Sequence, residues 1–108
     1  MATKMIANGE ALTGAINLDR NTLGGIGIPG TWTAADLTFQ ASMDGTTFYD
    51  MRNAAGAELQ VPVTAGDWIS FDLEDFAAPL YVKIRSGTSA VPVNQGGARV
   101  LDYSIVRR

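Results

Sequence analysis

The sequence predicts an all-β fold, an antiparallel β-sandwich of about eight strands, jelly-roll-like rather than immunoglobulin-like. Three observations lead there. No segment holds a 3.6-residue apolar period for three turns, whereas period-2 alternation recurs along the whole chain. Twelve glycines, with Pro, Asn and Asp, break the chain into short pieces, the spacing of strands joined by turns. The absence of cysteine rules out the Cys-Trp-Cys signature of immunoglobulin domains. A chain of 108 residues is one domain, 1–108, with room for one modest core.

The expected strands are 3–7, 11–18, 23–28, 36–42, 46–52, 58–63, 67–73, 79–86 and 98–107. Residues 1–8, "MATKMIAN", are expected to extend as an N-terminal arm able to add a strand to a neighbour's sheet. In "DLTFQAS", Leu37, Phe39 and Ala41 share one face and Thr38, Gln40 and Ser42 the other. The Asp44-Gly45 pair that follows is a hairpin signal, predicting a type I′ turn with both central residues at positive φ. Asp44 and Gly45 are therefore assigned to turn structure and not to calcium, whose binding loops place an oxygen ligand at every second position. In "ELQVPV" the apolar set is Leu59, Val61 and Val63, and Pro62 marks an edge or a bulge. "DWISFDL" turns Ile69, Phe71 and Leu73 inward, "PLYVKIRSG" turns Leu80, Val82 and Ile84 inward, and "RVLDYSIVR" does so with Leu101, Tyr103 and Ile105. Loop 25–36 carries Trp32, which is expected to plug an end of the core. Loop 86–97 is long enough to point to a role in contact with a partner.

If 67–73 and 79–86 pair, parity sets Ile69 opposite Ile84, Phe71 opposite Val82 and Leu73 opposite Leu80. That register leaves Trp68 beside Arg85, Ser70 beside Lys83 and Asp72 beside Tyr81 on the outer face. In a jelly roll consecutive strands lie in opposite sheets, and the pairing then fails.

Function classes narrow by absence. With neither histidine nor cysteine, the chain lacks the usual neutral-pH base, a thiolate nucleophile and the commonest transition-metal ligands. No pair of carboxylates carries a sign of burial, and the acidic group Asp67, Asp72, Glu74 and Asp75 reads as solvated surface. The expectation is a non-enzyme with no catalytic residue, cofactor or metal. A net charge of −3 argues against nucleic acid, and no apolar run is long enough to span a membrane as a helix. The start carries no apolar stretch of signal-peptide length, so synthesis in the cytoplasm without classical secretion is expected.

The stretches "PGTWTAADLTFQASMDGTTFYDM" and "YVKIRSGTSAVPVNQGGARVL" resemble small virion structural proteins of tailed bacteriophages and prophages, of the capsid decoration or head-fibre type. The "S-x-DG" hairpin within the first is similar to that of discoidin-like jelly-roll modules. The resemblance runs from about Ile28 to Tyr103 on Trp32, Asp44, Gly45, Phe48, Lys83, Arg85, Ser86, Gly87, Gln95 and Arg99. It implies a capsid decoration or cement protein in the virion, bound to the major capsid protein or other virion proteins and to its own copies, as a homo-oligomer such as a trimer. The interface residues expected are Trp68, Tyr81, Lys83, Arg85, Gln95 and Arg99. The acidic run 67–75 and the basic residues Lys83, Arg85, Arg99, Arg107 and Arg108 are expected to meet between copies in a ring. The alternatives are a tail component, or a carbohydrate-binding module displaying Trp32, Trp68, Tyr49 and Tyr81 to a glycan.

Overall fold

The computed structural model describes residues 2–107 and contains two four-stranded antiparallel sheets. The strands are β1 (Ala2–Ile6), β2 (Ile16–Asn17), β3 (Thr22–Gly27), β4 (Leu37–Ser42), β5 (Tyr49–Asp50), β6 (Trp68–Ser70), β7 (Tyr81–Ser86) and β8 (Arg99–Val106). Sheet A has the order β1-β8-β3-β6 and sheet B the order β2-β7-β4-β5. Strand β1 pairs with β8, β2 with β7, β3 with β6 and β4 with β5. That is one long hairpin folded over on itself, the jelly roll.

The core lies between the sheets. Alternation supplies Ile16, Phe39, Val82, Ile84, Ile26 and Leu101, all buried, and Trp32 closes one end as expected. The period-2 rule is broken inside β3, where Leu23 and Ile26 are both buried although three residues apart. A bulge between Leu23 and Gly25 absorbs the extra residue and restores the inward face.

Several expected strands shrink. Segment 11–18 keeps only Ile16–Asn17 and a bridge from Leu12 to Arg85; 46–52 keeps Tyr49–Asp50; 58–63 reduces to bridges from Glu58 to Arg52 and from Val61 to Leu37. Val61 bonds Leu37 at the edge of sheet B, where Pro62 needs no ladder partner. Segment 67–73 stops at Ser70 because the Asp72 carboxylate caps a 3₁₀ turn, Leu73–Phe76, accepting from the Glu74 N–H at 3.1 Å. Leu73, expected inside, is left 42% exposed, and Phe76 takes its place in the core. The Phe76 ring meets Phe39 edge-on at 4.9 Å and tilts against Phe71 at 5.0 Å.

The turn at Asp44-Gly45 is not type I′. Gly45 has φ +78°, but the positive-φ non-glycines are Asp19 and Arg20, at the corner between β2 and β3. Instead Asp44 organises a longer connection: its Oδ1 accepts from the Thr46 and Thr47 N–H groups at 2.8 and 2.9 Å and from the Ser42 hydroxyl at 3.0 Å. These bonds favour the carboxylate and hold Asp44 below its ordinary value of 3.8, with Thr47 the largest contributor, then Thr46 and Ser42. Asp44 and Gly45 thus serve the turn, through side-chain capping and one left-handed glycine.

Residues 2–6, expected as part of a free arm, are a strand of the fold itself. They pair with 99–103 of β8, and Ile6 is fully buried. Met1 lies outside the described residues.

Candidate interaction surfaces

Strand directions place the connections 7–15, 28–36, 51–67 and 87–98 at one end of the sandwich, and 18–21, 43–48 and 71–80 at the other. The long connections are bound to one another by side chains. Gln95, expected at an interface, is 1% exposed and works inside the molecule. Its backbone N–H donates to Glu10 O, and its carbonyl accepts from Gly9 N–H, both at 2.9 Å. Its side-chain amide accepts from Thr33 N–H at 2.8 Å and donates to Thr33 O at 3.1 Å, as a strand partner would. Arg99 completes the cluster, donating to Gln95 Oε1 at 3.2 Å and Thr33 Oγ1 at 3.3 Å. One glutamine therefore locks three loops together.

Arg85 corrects the sequence expectation more sharply. The expected position beside exposed Trp68 is not the one it takes: it is 6% exposed and lies on the opposite sheet. β6 pairs with β3, not with β7, so the whole proposed register of Ile69, Phe71 and Leu73 against Ile84, Val82 and Leu80 fails. Arg85 does point to the outer face of sheet B, but the 51–67 loop folds over it. Its Nε donates to Thr38 Oγ1 at 2.9 Å, Nη1 to Asp50 Oδ1 at 3.0 Å and Nη2 to Glu58 Oε2 at 3.1 Å. The Thr38 hydroxyl in turn donates to Gly87 O at 2.7 Å, and Glu58 accepts from Ser89 N–H at 3.0 Å. Loop 87–98 is thereby tied to the same network.

That loop is structured within itself. Gly87, at φ +87°, has no room for a Cβ, which would lie 2.5 Å from Val91 O. The tight approach lets Ser86 and Val93 pair and projects Val91, 67% exposed, from the tip.

Lys83 and Tyr81 remain on the outer face of sheet B, partly covered. The Lys83 ammonium sits 4.3 Å from the Phe48 ring centroid, and Tyr81 covers Gly45. Among the described residues, the basic side chains of the last quarter form no common patch. Lys83 belongs to sheet B, Arg85 is enclosed, and Arg99 and Arg107 flank a β8 that is about 23 Å long; Arg108 lies outside the described residues. Beside Asp44 an open cleft of about 540 Å³ is lined mainly by Ala41, Met43, Tyr49, Ala78 and Pro79. Tyr49 and Met43 are 69% and 64% exposed there.

The outer face of sheet A holds Trp68. Gly25 and Gly27 of β3 lie beneath its indole: a Cβ on Gly25 would come within 2.6 Å of Cζ2 and 2.9 Å of Cε2, and one on Gly27 within 3.4 Å of Cε3 and 3.7 Å of Cζ3. Those are opposite bonds of the six-membered ring, so the ring lies flat along the strand. Nε1 donates to Ser70 Oγ at 3.2 Å and holds that pose. No residue-type signal marked this arrangement, although the two glycines alternate in "GGIG" and could have been read as a floor.

Among the described residues, no buried side-chain nitrogen or oxygen lacks a hydrogen-bond partner, and no group of three carboxylates is placed to hold a metal. No family model matches the chain, and no curated protein is similar enough to it to count as a relative.

Proposed function

We propose that this chain is a non-enzymatic structural protein of a tailed-bacteriophage particle, a capsid decoration protein that docks on the capsid through its loop-bearing end. The observation that carries the reading is the fusion of four connections into one rigid platform by Gln95 and by the Arg85–Glu58 network. A preordered loop surface loses little conformational freedom on association, so weak apolar contacts at its tip suffice for binding. The buried side chains of Gln95, Arg85 and Thr38 are engaged in holding that platform. The resemblance of "PGTWTAADLTFQASMDGTTFYDM" and "YVKIRSGTSAVPVNQGGARVL" to virion proteins supports the particle as the setting, and the jelly roll is a fold used in capsids. Attachment is assigned to Val91 and the neighbouring exposed loop backbone, not to Gln95 or Arg85, which lie inside.

The test is cosedimentation of the purified chain with capsids that lack it. Val91→Glu is expected to reduce occupancy severalfold at unchanged melting temperature, because Val91 contributes little to the fold. Equal occupancy for both proteins overturns docking by this end, and absence of the wild-type chain from the pellet overturns the decoration reading. Removing residues 1–8 is expected to unfold the chain, since it strips β1 and Ile6 from sheet A.

A further inference from the structure

We infer that the outer face of sheet A is a carbohydrate-binding site, on which a pyranose ring stacks against Trp68 while Asp102 and neighbouring hydroxyls take its equatorial OH groups. The argument begins with the ring's pose. Trp68 is 51% exposed, the value expected of an indole with one face on the sheet and the other in water. A tryptophan that anchors a protein partner projects into a pocket; this one lies down in a trough made by Gly25 and Gly27 and offers a flat face. The negative face of an aromatic ring attracts the C–H groups of a sugar's apolar side, which carry partial positive charge.

The register supplies the polar rim. Gly27 pairs with Trp68 on one side and with Asp102 on the other, and Asp102 pairs in turn with Thr3. Thr3, Gly27, Asp102 and Trp68 therefore form one row across the sheet, with Asp102 Cβ only 3.5 Å from where a Gly27 Cβ would be. In the next row Ser104, Gly25 and Ser70 are aligned. Short side chains on β1, β8 and β6, around the glycines of β3, give acceptors and donors at fixed positions, with little rotamer freedom to lose. Asp102 is the one ionisable residue among the strand residues of this face. Together with the net charge of −3 it disfavours a stacked nucleobase, which brings phosphate with it. Of the other aromatics considered for a sugar, Trp32 is buried and Tyr49 and Tyr81 belong to the opposite sheet, so the site is built on Trp68 alone. The inference is independent of capsid docking, which uses the loop end.

The test is a ¹H–¹⁵N titration of the full chain with defined gluco-, manno-, galacto- and N-acetylglucosamine oligosaccharides. At least one is expected to shift the Trp68 indole cross-peak and the amides of Gly25, Gly27, Asp102 and Ser104, leaving the Trp32 indole unmoved. Trp68→Ala is expected to weaken that binding about tenfold, and Asp102→Asn severalfold, both at near-native amide spectra. If no sugar shifts these peaks, the inference is overturned. It is equally overturned if they shift with protein concentration alone, because the face then joins two copies, or if binding survives Trp68→Ala unchanged. Capsid cosedimentation of Trp68→Ala is expected to match the wild type, which separates failure here from failure of the docking reading.

Discussion

On the outer face of sheet B, Arg85 is forked between Asp50 and Glu58 and enclosed by the 51–67 loop. On the outer face of sheet A, β3 has no side chain at Gly25 or Gly27, and an indole lies open over the gap. Both faces began as the polar side of an alternating strand. They differ because one received a long connection whose Glu58 joins Asp50 of β5 around the arginine, and the other received none. A charged group under a loop has to be fully paired, so sheet B became internal structure. A glycine-floored face on which no loop encloses a charge imposes no such demand, so sheet A could stay open with an exposed ring. Burial of the outer surface is thus decided by where the loops pass, not by strand pattern.

This contrast is broken most directly at Arg85. Arg85→Met should cost about 3 kcal/mol, because it strands Glu58 and Asp50 without their cation and removes the donor to Thr38. Urea unfolding is the measurement, and a loss below about 1 kcal/mol would mean that the network is ordinary surface pairing. Next comes Gly25→Ala, expected to cost about 1–3 kcal/mol. Its Cβ meets the Ile69 carbonyl at 2.7 Å as well as the indole, and backbone cannot yield. Gly27→Ala, whose nearest neighbour is 3.4 Å away, should cost less; equal losses for the two glycines would refute the flat pose. Trp68→Ala should destabilise by only about 1 kcal/mol, since half the ring is already in water. A larger loss would make Trp68 core and not platform.

The smallest effect is at Asp44, where pH provides the readout. Its folded-state value lies below the ordinary 3.8 because backbone N–H groups of Thr47 and Thr46 bond the carboxylate. Its contribution is therefore fully present above 3.8, declines below it, and is gone once pH falls beneath the folded value. Asp44→Asn should show a shallower loss of stability than the wild type across that acid window, while matching its slope at neutral pH. Identical acid slopes would remove the Asp44 bonds from the account.

Much of the architecture was legible. Alternation in "DLTFQAS" and "PLYVKIRSG" identified Leu37, Phe39, Val82 and Ile84 as core, because strand geometry leaves a period-2 chain one inward face. Reading "DWISFDL" as a full strand failed, because Asp72 offers the backbone an alternative bond that ends the strand and swings in Phe76. Of the residues assigned to interfaces, Arg85 and Gln95 were misplaced for one reason. Arg and Gln are usually exposed, and only loops distant in sequence could supply the partners that bury them.

What the sequence determined by itself was a β-sandwich, its inward-facing side chains and the turn role of Asp44 and Gly45, all of which rest on contacts within a few residues. Tertiary structure alone decided which strands pair, which loop covers Arg85 and which ring rests on Gly25 and Gly27. Those outcomes join positions as far apart as Thr33 and Gln95, or Gly27 and Asp102. No local pattern encodes them, because they arise only when the folded hairpin brings both sheets and the long loops together.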